Sequence, residues 1–146
     1  MSHSVSLAGD GAKVVMEVFD YENPLAQNPD DASWLKTELT FQVGSFSGAF
    51  KTAFTTHDLV ALHDRTEQVL KSLSGRVSFE NTEGDLTLNV EFSKSGKVQI
   101  DGVAEPHGPV KAALHFRFAS DPSAVAETVR ELKQVIERFP VKQVQP

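Results

Sequence analysis

The chain has 146 residues, no cysteine, and a formal net charge of −6 from 20 acidic and 14 basic residues. A chain of this length can bury a core, so we expect a single domain over residues 1–146. The missing cysteines exclude thiolate metal sites, disulfides and a cysteine nucleophile. The excess of acid argues against nucleic acid as a direct partner, because phosphate binding requires clustered Lys and Arg.

The sequence shows no targeting or membrane segment. No apolar run approaches the roughly 20 residues that span a membrane. The N-terminal residues lack the charged and apolar regions of a signal peptide. Together with the missing cysteines, these observations predict a cytoplasmic protein with no membrane partner.

The first quarter of the chain predicts two strands and a long loop. Val5 and Leu7 mark a short strand, and residues 13–19 form a second strand with apolar residues on both faces. Residues 20–33 contain two prolines, two asparagines and four acids, so we expect no regular element there. A loop of that length is unusual in a compact domain and is often functional.

Residues 34–55 predict a β-hairpin. Apolar and polar residues alternate along both strands, and Gly44-Ser45 fits a type II′ turn. A two-residue loop pairs Leu39 with Phe50 across the hairpin. The inward face then carries every second residue of both strands: Leu35, Thr37, Leu39, Phe41, Val43, Phe46, Gly48, Phe50, Thr52 and Phe54.

The second half of the chain adds a helix, four strands and a final helix. A helix begins after Thr55 or Thr56, with an apolar stripe at Leu59, Leu62, Thr66, Val69 and Leu73. Four strands follow, and the inner face of the last is predicted at Val110, Ala112, Leu114, Phe116 and Phe118. Asp121-Pro122 then starts a helix whose buried stripe is Val125, Val129, Leu132, Ile136 and Phe139.

These elements define an α+β fold with two four-stranded antiparallel meanders, each followed by one α-helix. We expect both helices to pack on one face of a single curved sheet. Two sheets packed as a sandwich are the alternative. Residues 141–146 are predicted to form a frayed tail.

No group of residues has the spacing of a catalytic, cofactor or metal site. The histidines lack metal-ligand spacing, and no serine lies in a nucleophile motif. One polar row on the outer sheet face offers an alternative acid/base or ligand site. Its residues are Glu91, Gln99, His115 and the neighbouring Arg117. An ordinary solvated polar face is the competing interpretation.

The long loop is the candidate partner-binding site. Phe19, Tyr21 and Trp34 flank it, out of phase with the predicted core, and acids surround them. The residues that we predict to bind a partner are Asp20, Tyr21, Glu22, Asp30, Asp31 and Trp34. Acids around aromatic anchors suit a basic protein surface. A small cluster that packs beneath the loop is the alternative interpretation.

Short stretches in a fixed order along residues 19–142 carry a family resemblance. They are Asp31-Ala32-Ser33-Trp34-Leu35, Phe46-Ser47-Gly48-Ala49-Phe50, Thr56-His57-Asp58-Leu59, Glu83-Gly84-Asp85-Leu86, Leu114-His115-Phe116-Arg117-Phe118 and Phe139-Pro140-Val141. This order resembles the WapI-type immunity proteins and their bacterial relatives. The chain departs from them after Asp121, where relatives often carry a bulky aromatic residue.

The resemblance implies a cytosolic, non-enzymatic protein that neutralises a cognate secreted toxin, often a nuclease. The leading prediction is therefore an immunity protein whose partner is a basic toxin domain. The alternative is a small-molecule-binding or enzymatic α+β domain that uses the outer sheet face around His115. The sequence leaves the toxin and the oligomeric state open.

Overall fold

The computed structural model of the protein describes residues 3–142. In chain order its elements are β1 (His3–Gly9), β2 (Ala12–Tyr21), α1 (Pro29–Ala32), β3 (Trp34–Val43), β4 (Phe46–Thr55), α2 (Thr56–Ser72), β5 (Gly75–Glu80), β6 (Leu86–Phe92), β7 (Val98–Ala104), β8 (Leu114–Ser120) and α3 (Pro122–Arg138). The first four strands form one antiparallel sheet and the last four form another, each in sequence order. The predicted α+β fold with two four-stranded meanders is confirmed.

The inner faces of the two sheets meet in one hydrophobic core. The ring centroids of Phe41 on β3 and Phe116 on β8 lie 5.9 Å apart. Those of Phe54 on β4 and Phe79 on β5 lie 6.3 Å apart. The strands therefore form two packed sheets rather than one curved sheet, which corresponds to the sandwich alternative.

The two long helices pack against each other and against strands of both sheets. α3 lies on β1, whereas α2 contacts β5 and β4. The predicted helix stripes differ from the structure at two positions. Leu73 is 53% exposed because it leaves α2 in a left-handed conformation, with φ of 52°. Ile136 is half-buried, whereas its neighbour Val135 is buried.

The β3–β4 hairpin has the predicted register. Leu39 pairs with Phe50 and Val43 with Phe46, and the positive φ of Gly44 fits the type II′ turn. The apolar face does not stay buried to the tip, since Phe46 is 70% exposed. The hairpin therefore projects beyond the core, with Phe50 half-buried at its margin.

The prediction that residues 20–33 contain no regular element is wrong at both ends of the segment. β2 continues through Tyr21, and α1 forms one helical turn. The Asn28 side chain accepts a hydrogen bond from the Asp30 N–H at 2.8 Å, and Pro29 occupies the first helical position. Asn-Pro is thus a helix start here, because the amide caps free N–H groups and proline fits the first turn.

The prediction that Val110 and Ala112 belong to the last strand is also wrong. β8 begins at Leu114, and Val110 is 73% exposed in the preceding loop. β7 ends at Ala104, which pairs with Leu114, so the residues before Leu114 have no neighbouring strand residues to bond with.

Two further expectations concern the ends of the chain and the membrane. From residue 143 onward, the predicted frayed tail lies outside the described residues. Within residues 3–142, no helix is long and apolar enough to cross a membrane.

Candidate partner-binding site

Hydrogen bonds hold the 20–34 loop at its base and at its far end. The Glu22 N–H donates to the Trp34 carbonyl at 2.8 Å, which joins the two ends of the loop. The Ser33 hydroxyl donates to the Pro29 carbonyl at 2.8 Å and stabilises the turn of α1. Lys142 Nζ donates to the Pro24 carbonyl at 3.2 Å. The loop is therefore a folded projection attached to the ends of β2 and β3.

All four predicted carboxylates of this loop lie at the surface. Asp30 and Asp31 are exposed in the first turn of α1. Negative charge is favoured at that position because the N-terminal N–H groups of a helix point toward it. Asp20 accepts a hydrogen bond from the Tyr21 N–H at 2.7 Å, and Glu22 is exposed beside it. The loop thus presents its acids to solvent.

A small depression brings two separate segments together around the half-buried indole of Trp34. It has a volume of about 190 Å³ and is lined by Glu22, Asn23, Asp31, Trp34 and Glu83. Glu83 comes from the β5–β6 turn and was not among the residues predicted to bind a partner. Carboxylates beside an aromatic face are groups that bind a cationic side chain. Among residues 3–142, no group of three or more His, Asp or Glu residues is placed to hold a metal ion.

A larger cleft of about 600 Å³ continues from this depression and shares Glu22 and Glu83 with it. Phe19 lines the cleft and lies where the register between β2 and β3 shifts, between Val18 and Asp20. Such a bulge can redirect a side chain out of the regular sheet face. The other residues lining the cleft are Lys36, Thr37, Lys51, Thr52, Ala53, Asp85 and His107.

Two turns of the second sheet form the opposite wall of the cleft. The buried carboxylate of Asp85 accepts hydrogen bonds from the Thr52 hydroxyl at 2.5 Å and from Asn81 Nδ2 at 2.8 Å. His107 Nε2 lies 2.9 Å from the Glu83 carbonyl oxygen. This hydrogen bond is the main reason that the pKa of His107 is raised above its usual value. These contacts fix the backbone that carries Glu83.

Tyr21 has structural contacts of its own within the chain. Its hydroxyl donates to the Pro140 carbonyl at 2.7 Å, and its ring packs edge-on against Phe139. Lys142 Nζ lies 4.3 Å from the ring centroid. Burial raises the pKa of the Tyr21 hydroxyl, with Arg138 acting in the opposite direction. Tyr21 therefore joins the end of β2 to the end of α3, and its part in partner binding remains a prediction.

Leu25 is a second residue of this surface that was not predicted from the sequence. It is 89% exposed at the tip of the loop. A single leucine in a polar stretch gives no periodic signal, so only the structure reveals its exposure. Leu25 adds an apolar contact point beyond Trp34.

The alternative site around His115 is not assembled as predicted. Gln99 pairs with Glu91 on one side and Ala119 on the other, whereas His115 pairs with Val103. The predicted row of Glu91, Gln99 and His115 is therefore wrong. The long loop before β8 shifts the register of that strand by four residues.

The outer face around His115 holds an open depression of about 450 Å³. Arg117 lies beside His115 and forms an ion pair with Asp101 at 3.6 Å. An exposed pair of this kind contributes little to stability. The depression is open to solvent, and polar side chains such as Thr87, Asn89 and Asp101 share its lining with Val103 and Phe116.

Comparison with known families identifies one match. A family model described as the Immunity protein WapI-like family matches residues 6–140, which include the 20–34 loop and both sheets except the first three residues of β1. A search of curated proteins finds no match. Because the family match covers most of the chain, the protein belongs to the WapI-like immunity protein family.

Proposed function

We propose that this protein binds and neutralises a cognate toxin through an acidic surface formed by Asp20, Glu22, Asp30, Asp31 and Glu83 around Trp34. Membership of an immunity protein family supports an immunity role. The observation that supports this particular surface is the convergence of the 20–34 loop and the β5–β6 turn on one indole. In this proposal the protein acts in the cytoplasm and performs no catalysis.

The charge of the surface indicates the chemistry of the partner. A toxin that cleaves nucleic acid presents Lys and Arg to phosphates, and such a surface complements clustered carboxylates. The net charge of −6 extends this attraction beyond the contact itself and increases the association rate. An arginine of the toxin fits the depression at Trp34, because a guanidinium can bind a carboxylate and stack on an aromatic ring.

The test compares wild type with the double variant Asp30→Asn/Asp31→Asn, using the toxin domain that we expect to be encoded beside this gene. Asparagine removes both charges and keeps the side-chain shape, whereas lysine would also introduce positive charge and a longer side chain. We expect the affinity to fall by about tenfold or more and to depend less steeply on salt.

A matched control removes two charges elsewhere. Glu91→Gln/Glu137→Gln changes the net charge equally on exposed positions of β6 and α3, and we expect it to keep most of the affinity. Failure of the wild type to bind the toxin would contradict the proposed function itself. Binding that the Asp30/Asp31 variant leaves unchanged would contradict only the acidic surface.

A further inference from the structure

Three of the four sheet edges have hydrogen-bond partners within the chain. On β1, the Ser6 N–H donates to Glu131 Oε1 at 2.9 Å, and its carbonyl accepts from the Thr128 hydroxyl at 2.6 Å. Both partners come from α3. On β5, the Ser78 carbonyl accepts from the Arg65 guanidinium at 3.2 Å. These contacts satisfy edge groups that could otherwise pair with another chain.

The edge of β8 is joined to the first sheet. The Asp10 N–H donates to the Ala119 carbonyl at 2.8 Å, and the Ser120 hydroxyl donates to the Ala8 carbonyl at 2.6 Å. Side chains on α3 and β8 thus form hydrogen bonds with backbone groups at the edge of β1. The backbone of the β1–β2 turn does the same for the edge of β8. Within residues 3–142, no comparable contact covers the first half of β4.

Alternate residues of β4 direct their backbone N–H and C=O groups away from β3, toward the open edge of the sheet. The Glu22 N–H donates to the carbonyl of Trp34, the first residue of β3, and the Gly44 N–H just after β3 donates to the Gly11 carbonyl just before β2. The backbone groups of even-numbered residues of β3 therefore point toward β2. Odd-numbered residues of β3 therefore face β4, since the direction alternates along a strand. Their partners are the even-numbered residues of β4. The N–H and C=O groups of Ser47, Ala49 and Lys51 consequently point off the edge, and all three residues are exposed.

We infer that this edge pairs with the same edge of a second copy of the chain, antiparallel about a two-fold axis at Ala49. Only odd-numbered residues can bond across such a pairing. Centring the axis on Ala49 places Ser47 of each copy opposite Lys51 of the other. All three free residues are then used, with about six backbone hydrogen bonds across the interface.

The side chains are self-complementary in this register. Gly48 lies opposite Phe50 of the other copy, and a Cβ built on Gly48 meets nothing within 4 Å. The half-buried ring of Phe50 can therefore cover the open space above Gly48. Lys51 is the only charged residue from 46 to 52, and it faces a serine rather than another lysine. Phe46 is carried toward Thr52, which lines the open cleft beside the strand.

The size of the contact sets the strength of the dimer. A stable interface uses about 20–30 residues on each side, and the free part of β4 supplies far fewer. The dimer is therefore weak, with dissociation in the micromolar range or above. The pairing uses residues 46–52 and none of the carboxylates of the acidic surface, so it does not depend on toxin binding. The hairpin tip of each copy lies beside the other copy's cleft, which borders that surface.

Sedimentation equilibrium from about 10 μM to about 1 mM tests the pairing. We expect a reversible monomer–dimer equilibrium for the wild type. Ala49→Pro removes the N–H at the two-fold axis without touching the β3–β4 ladder, and we expect it to be monomeric. Ala49→Thr keeps the N–H and serves as the matched control.

Two variants of Ser47 test the register even if Ala49→Pro fails to fold. Ser47→Lys places like charges opposite each other and should weaken the dimer several-fold, whereas Ser47→Glu faces Lys51 and should strengthen it. A protein that stays monomeric over the whole concentration range contradicts the inference. Hydrogen exchange at the Ala49 amide that slows only when toxin is added would assign this edge to the toxin, and it contradicts the inference in the same way. A dimer that responds equally to both Ser47 variants contradicts the register and with it the proposed pairing.

Discussion

The carboxylate of Asp58 joins the start of α2 to the β5–β6 turn through Thr82. Asp58 Oδ1 accepts from the Thr82 hydroxyl at 2.8 Å, and Oδ2 accepts from the Thr82 N–H at 3.1 Å. Asp58 also completes a capping box, in which Thr55 N–H donates to it and the Thr55 side chain accepts in return. Because Glu83 follows Thr82, this partly buried contact positions one carboxylate of the acidic surface.

We expect Asp58→Ala to lower the free energy of unfolding by about 2–4 kcal/mol, because it removes a helix cap and leaves buried donors unpaired. Urea denaturation measures this loss. Asp58→Asn keeps one acceptor oxygen and should cost less. Equal stability of the alanine variant and wild type would show that the carboxylate does not support the turn.

Leu25→Ala should weaken toxin binding by about 1 kcal/mol or more, because apolar anchors contribute strongly where a partner covers them. The free protein should keep its stability to within about 0.5 kcal/mol, since the side chain is exposed. Calorimetric titration and thermal unfolding separate the two effects. Val110→Ala changes another exposed side chain and is the control. A Leu25 variant that binds like wild type would place the loop tip outside the interface.

Phe54 and Phe46 lie on the same face of β4 in different environments. Phe54 is fully buried, so Phe54→Ala should cost about 3–5 kcal/mol of unfolding free energy. Phe46→Ala should cost less than about 0.5 kcal/mol at concentrations where the protein is monomeric. Chemical denaturation of both variants tests where the core ends along the hairpin. Similar losses for the two would contradict a projecting tip.

The hydrogen bond from His107 to the Glu83 carbonyl predicts a pH dependence of stability. The pKa of His107 is raised in the folded protein, mainly by this bond. A raised folded pKa stabilises the protein fully below the unfolded value of 6.5, and this contribution is lost as pH rises through the folded pKa.

We therefore expect the stability difference between wild type and His107→Gln to shrink as pH increases above 6.5. An NMR titration of the imidazole gives the pKa directly. A pKa of His107 at or below 6.5 in the folded protein would contradict the hydrogen bond to the Glu83 carbonyl.

Local rules predicted those parts of the fold that depend on neighbouring residues. The register of the β3–β4 hairpin followed from its two-residue turn, and the start of α3 followed from Asp121-Pro122. Predictions of burial failed where a side chain is buried only if a distant segment packs against it. Phe46 has the apolar phase of its strand but lies beyond the core.

Only part of the candidate site was predicted, again because contacts between distant segments determine the rest. Composition indicated that the 20–34 loop is acidic and flanked by aromatic residues. It could not show that Glu83, some fifty residues further along, shares a depression with Trp34. Nor could it reveal that Tyr21 is occupied by contacts with the end of α3. Proximity between distant segments leaves no trace in a single sequence.

The central claim is that the toxin contacts the acidic surface. The most direct measurement is the change in backbone amide NMR shifts when unlabelled toxin domain is added to the labelled protein. The account predicts that the largest changes fall in residues 20–34 and at Glu83. Changes confined to the outer face of β6 to β8 around His115, with residues 20–34 unaffected, would contradict it.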